Sequence, residues 1–138
     1  MKFVKKCFVL GMVIALACAV TSASAYFRAS EQIDECVLNV FKSGGGKITI
    51  DFYVAGTEKM QCLGAESIVI YRKTGGSWVE VESYDRHDRG MVGNNMPEFS
   101  GNIVFSGTAG KDYKIQAEFF AENSSGYDSA TKTAFVTA

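Results

Sequence analysis

The chain has 138 residues, 14 Lys and Arg against 15 Asp and Glu, a formal net charge of −1, and 47% hydrophobic side chains. That length suits one domain with a single core, built without metals or many disulfides. No basic stripe or run occurs, so nucleic acid and anionic membranes drop out as expected partners.

In chain order the first element is an export signal. Lys2, Lys5 and Lys6 precede an apolar run from Cys7 to Val20 and small residues ending Ala23-Ser24-Ala25, the layout of a secretory peptide with an A-x-A cleavage site. The run of 14 residues is shorter than the roughly 20 that a bilayer-spanning helix needs. Cleavage between Ala25 and Tyr26 is expected to leave one secreted domain, 26–138, with no stable membrane anchor. A lipid-attachment box before Cys18 is the poorer match, because Leu16 stands one place out of position. With three lysines lost, the mature chain carries 11 basic and 15 acidic side chains (11 − 15 = −4).

Beyond the leader the dominant period is two. CVLNVF (36–41) and KITIDFYVA (47–55) flank three glycines and read as a hairpin. Ile33, Val37, Val40 and Phe41 also fit a helical spacing, which leaves a helical turn at the start as an alternative. ESIVIYRK (66–73) and SWVEVESY (77–84) flank Thr74-Gly75-Gly76, a second hairpin signal. Residues 85–100, with glycines, asparagines and the single proline, read as a long connection, with one short edge strand within it as the alternative. Alternation resumes at 101–106, 112–122 and 129–137. Seven antiparallel strands, 35–41, 47–55, 66–73, 77–84, 101–106, 112–122 and 129–137, predict an all-β, immunoglobulin-like sandwich.

The stretch GKDYKIQAEFFAENSSGYDS (110–129) places Tyr113 between a glycine turn and an alternating strand. That is the setting of a tyrosine corner, in which the ring packs in the core and the hydroxyl bonds backbone upstream. Gly110, Tyr113, Ala121, Asn123, Gly126 and Ser129 together resemble the end of a fibronectin type III domain. The resemblance covers about the last 38 residues. The overall layout also resembles small secreted bacterial proteins of uncharacterised function. The resemblance implies a fold and a compartment, not a reaction.

Cys36 and Cys62 are the two cysteines expected in the mature chain, and an exported pair reads most simply as one disulfide. Its loop of about 25 residues would contribute roughly 3.5 kcal/mol through the unfolded state. The pair is too close in sequence for the second-to-sixth-strand bridge of an antibody domain. His87 is the only histidine and reads as a solvated loop residue. Glu80 and Glu82 read as a charge row on one strand face, and Trp78 and Phe99 as cover for the sandwich edge. Asn123-Ser124-Ser125 is formally a glycosylation acceptor, but it coincides with the turn asparagine.

No catalytic motif, cofactor motif or metal-ligand spacing appears, so no enzyme activity, cofactor or metal is expected. The candidate binding loops gather at one pole, with Met60, Tyr127, Asn123 and Gly126 as contact residues. The expected function is a monomeric, secreted, non-catalytic binding or adhesion module for a protein or carbohydrate ligand. The alternatives are a soluble effector or inhibitor, and an assembly subunit that polymerises through strand edges.

Overall fold

The computed structural model describes residues 31–138; the expected export signal and its Ala25–Tyr26 junction lie outside the described residues. The described residues form six strands, all paired antiparallel: β1 (Ile33–Gly44), β2 (Lys47–Thr74), β3 (Ser77–Asp85), β4 (Val92–Ser106), β5 (Asp112–Asn123) and β6 (Gly126–Thr137). No helix occurs among the described residues, and the chain is extended from Ile33, so the alternative helical turn is not formed.

The count of six, not seven, comes from β2. The two strands expected at 47–55 and 66–73 are the ends of one 28-residue strand. Its first half lies between β1 and β4, and its second half lies between β3 and β5, with β6 beyond β5. Residues 62–64 pair with β4 on one side and β5 on the other, which joins the two halves. Register shifts at Ala55/Met60 and Ala65/Ser67 mark bulges, and bulges bend and twist a strand. The single sheet thereby curls into a half-barrel around its apolar face.

The core follows strand parity. Ile48, Ile50, Phe52 and Val54 from one half of β2 meet Ile68 and Ile70 from the other, and β5 adds Ile115, Ala117, Phe119 and Ala121. Half-buried Leu38, Val40, Ile103 and Phe105 close the sides. Gly101 is the cross-strand partner of Phe52, and the ring lies where a side chain would stand: an added Cβ would come within 2.1 Å of it. Gly64, at φ +148°, lets the Met91 carbonyl approach so closely that a Cβ would sit 2.2 Å from it. That carbonyl accepts a 2.8 Å hydrogen bond from the Ala65 amide.

The connection expected at 85–100 is mostly strand, because β4 begins at Val92. Pro97 breaks no ladder there: β4 pairs only with β2, and the proline falls between the pairs Met60–Met96 and Ala55–Glu98, where the register shifts. Tyr113 opens β5 with its ring buried against Phe105 at 5.6 Å. Its hydroxyl accepts a 2.7 Å hydrogen bond from the Thr108 amide, five residues upstream. The chain end is clamped beside it, where the Gly110 amide donates to the Ala138 carbonyl at 2.6 Å.

Candidate functional site

The expected loop pole is only partly assembled. Met60 is not a contact residue: it is 1% exposed, belongs to the core and pairs across to Met96. The reason is that residues 56–65 are strand, not loop, and the Ala55/Met60 register shift leaves Met60 facing inward. Tyr127, Asn123 and Gly126 do meet at the β5–β6 hairpin. The Asn123 side-chain carbonyl accepts from the Ser125 and Gly126 amides at 2.9 and 3.2 Å, and its amide donates to Glu58 at 2.8 Å.

The expected disulfide is not formed; Cys36 and Cys62 are both free thiols. Cys36 pairs with Val54, and Cys62 lies eight residues further along β2 (62 − 54). That is a contour of about 26 Å at ~3.3 Å per residue, where a bridge needs Cα atoms about 4.4–6.8 Å apart. Burial holds the Cys36 thiol above its ordinary range, with Lys132 pulling the other way. The Cys62 sulfur instead lies 3.6 Å from Arg86 Nη2.

Arg86 is the hub of a cluster that sequence reasoning missed. Its guanidinium reaches Glu66 at 3.3 Å and Glu122 at 3.0 Å, and it lies 4.2 Å above the Phe120 ring. Phe120 is fully buried yet stands outside the main core, on the opposite face from Phe119. Tyr127 covers it from the side, its ring stacked at 5.9 Å and its hydroxyl donating to Glu66 at 3.5 Å. Burial opposes the charge on Arg86, but the hydrogen bonds to Glu122 and Cys62 and the charges of Glu66 and Glu122 outweigh it. The guanidinium is held above its usual pKa. Tyr127 is thus engaged as a lid, although it remains 47% exposed.

Neither acid–base candidate gains a partner set. His87 is exposed in the turn after β3, where its backbone amide bonds Asp85 at 2.7 Å. Among the described residues no group of three or more His, Cys, Asp or Glu is placed to hold a metal ion. Glu80 and Glu82 do not form one row, because a bulge at Ile70/Tyr71 sets Glu82 beside buried Ile70 and Glu80 beside outward Tyr71.

Two surfaces on the sheet faces are better formed. The first is an open groove of about 390 Å³ on the outer face of β1, β2 and β4. Cross-strand register builds it in rows: Asn39, Asp51 and Asn102 form one, and Val37, Tyr53 and Ser100 the next. The Asn102 amide donates to Asp51, and the Tyr53 hydroxyl donates to Glu98 at 2.7 Å. That bond is the main cause holding the Tyr53 phenol above its ordinary pKa, with burial and nearby carboxylates adding to it. Exposed Phe41 and Val104 flank Thr49 in the following row. Asp51 and Tyr53 were legible as the outward parity of KITIDFYVA, but their partners required the β2–β4 register.

The second surface covers the outer face of β3, β2, β5 and β6. Trp78 reaches Phe135 with ring centroids 5.7 Å apart and planes at 49°. Lys114 Nζ lies 4.5 Å above Tyr71 and 5.5 Å above Trp78, and Lys73 Nζ lies 5.9 Å from Trp78. Trp78 therefore does more than cover an edge, while Phe99 packs inward against Phe52 at 6.1 Å.

No protein-family model matches this sequence, and no curated protein matches it. Among solved structures, it is similar to a family 76 glycoside hydrolase from a bovine Bacteroides thetaiotaomicron strain, with a TM-score of 0.44 and 14% identity. That match covers 79% of this chain and 20% of the hydrolase. It is also similar to Spo0M, a sporulation control protein from Bacillus subtilis, with a TM-score of 0.44 and 11% identity over 80% of this chain and 51% of that one. The chain thus spans about a fifth and about half of these two proteins.

Proposed function

We propose that the chain is a secreted, non-catalytic binding module that holds a hydroxyl-rich ligand of the carbohydrate class in the groove on β1, β2 and β4. The observation that carries this reading is the cross-strand row Asn39–Asp51–Asn102 beside Tyr53. A carboxylate has about four lone-pair sites, so Asp51 keeps acceptor capacity beyond its bond from Asn102, and an amide both donates and accepts, which matches the paired donor and acceptor character of adjacent sugar hydroxyls. The aromatic face of Tyr53 offers a surface for the apolar C–H side of a sugar ring. An open groove suits an extended chain better than a small, enclosed substrate. The non-catalytic part of the reading rests on the sequence, which carries no catalytic motif.

The fibronectin type III-like reading of the fold goes forward as part of the same proposal, supported by the hydrogen bond from Thr108 to Tyr113. The assembly alternative keeps one supporting observation: β3 and β4 each pair with β2 alone and so leave a free edge. A clean monomer at high concentration removes that alternative.

The test of the main proposal is a glycan-array screen of the secreted chain, repeated with Asp51→Ala and Tyr53→Ala. Selective capture of neutral glycans, weakened at least tenfold by both substitutions, is expected. No glycan captured, or capture that both variants retain, overturns it.

A further inference from the structure

We propose that the outer face around Trp78 and Phe135 is a second, separate binding surface, and that its ligand is an acidic polysaccharide whose sugars carry carboxylates. The inference does not rest on the groove of β1, β2 and β4.

The aromatic part comes first. Phe135 is 65% exposed, the most open of the large hydrophobics among the described residues, and Trp78 leans against it across the sheet. Together with Lys73, Asp112 and Thr137 they line a trough of about 320 Å³. Two ring planes set at 49° give a faceted platform, the shape that receives successive sugar rings on their C–H faces. Flat aromatic faces attract the weakly positive C–H edges of such rings.

The charge comes second. Lys73 and Lys114 have no carboxylate of the described residues within ion-pair distance; their ammonium groups lie over Tyr71 and Trp78 instead. The two cations share one face of a chain that is otherwise net acidic. Lys114 pairs with Tyr71, two residues from Lys73, so the two cations are diagonal neighbours on adjoining strands, and an anion bound between them offsets their mutual repulsion. Two acids stand near them, Asp112 in the trough, where it accepts a 2.6 Å hydrogen bond from Thr137, and Glu80 beside Tyr71, and neither forms an ion pair with Lys73 or Lys114.

A polymer follows from the exposure of the site. A single ion pair in water contributes little, so one carboxylate would not hold a ligand here. Repeated carboxylates on one chain supply the effective concentration that a lone acid lacks.

Trp78 is the only tryptophan, so its fluorescence reports this surface directly. The test is a titration of the secreted chain with polygalacturonate, with dextran and poly-glutamate as comparison polymers. A saturable change in tryptophan emission is expected with polygalacturonate alone, weakened at least tenfold when salt rises from about 0.05 to 0.5 M, because screening shortens the reach of surface charges. Phe135→Ala and the double substitution Lys73→Ala, Lys114→Ala are each expected to weaken it at least tenfold. Asp51→Ala is expected to leave it unchanged, which separates this surface from the groove. Lys73 and Phe135 are exposed and Lys114 and Asp51 half-buried, and circular dichroism is the check that the variants are folded. No saturable change with polygalacturonate, an equal response to dextran, or a response that survives the double lysine substitution overturns the proposal. An equal response to poly-glutamate overturns the assignment to a sugar.

Discussion

Replacing Arg86 by alanine tests whether the outward cluster is part of what holds the fold together. The guanidinium lies 4.2 Å above a fully buried Phe120 ring, an arrangement that contributes roughly 1–2 kcal/mol when the ring is desolvated. Its two ion pairs involve side chains 27–36% exposed, so each adds only about 0.2–1 kcal/mol. Losing all three, and leaving Glu66 and Glu122 facing each other, costs about 2–3 kcal/mol. For a domain of this size that is a fall of roughly 10 °C in Tm. Urea unfolding is the assay, with an expected drop in midpoint at constant m. A double-mutant cycle of Arg86→Ala with Phe120→Leu should show a coupling of about 1 kcal/mol. A loss below about 0.5 kcal/mol would show that the cluster does not stabilise the fold. A loss that disappears in 1 M salt would assign the effect to the ion pairs and remove the ring from the account.

Three further outcomes are expected. Gly101→Val forces a side chain into the Phe52 ring, where a Cβ alone would come within 2.1 Å; overpacking costs about 1–3 kcal/mol, and an unchanged urea midpoint would contradict the packing. Met60→Ala opens a cavity in the core and should cost about 2–5 kcal/mol with ligand capture otherwise intact; lost capture at unchanged stability would return Met60 to the surface. Tyr53, Tyr84 and Tyr127 all have phenols held above their ordinary pKa, Tyr53 mainly by its bond to Glu98 and the other two mainly by burial. The unfolded chain therefore ionises first, so the stability these groups supply is present below pH ~10 and is lost as pH rises through their folded values. A flat unfolding midpoint from pH 9 to 11 would refute this.

Where alternation was uninterrupted, the strands could be read from residues alone: KITIDFYVA and DYKIQAEFF sit on the expected parity, and Tyr113 meets backbone upstream. The stretch GTEKMQCLGA could not, because its glycines and charges mimic a loop. Gly64 is there for the close approach of Met91, not for a turn. Read as a loop, that stretch exposes Met60 and brings Cys62 toward Cys36. The same happened at MVGNNMPEFS, where a proline on a free edge costs nothing. Both sheet-face surfaces depend on cross-strand register over separations such as Asp51 to Asn102, and local pattern carries no such information. Arg86 was hidden for a related reason, since nothing local indicates that an outward Phe120 needs a cover.

The continuous β2 strand also determines where the molecule tolerates a cut. Its first half completes one face and its second half the other, so a backbone break within 56–65 would give fragments that each lack the strand common to both faces. A break at the exposed Gly75–Gly76 turn leaves β2 whole in one fragment. Splitting, insertion or circular permutation that keeps β2 whole belongs at that turn, and because the turn joins Lys73 to Trp78, a label there reports on the Trp78 surface and leaves the groove of β1, β2 and β4 untouched.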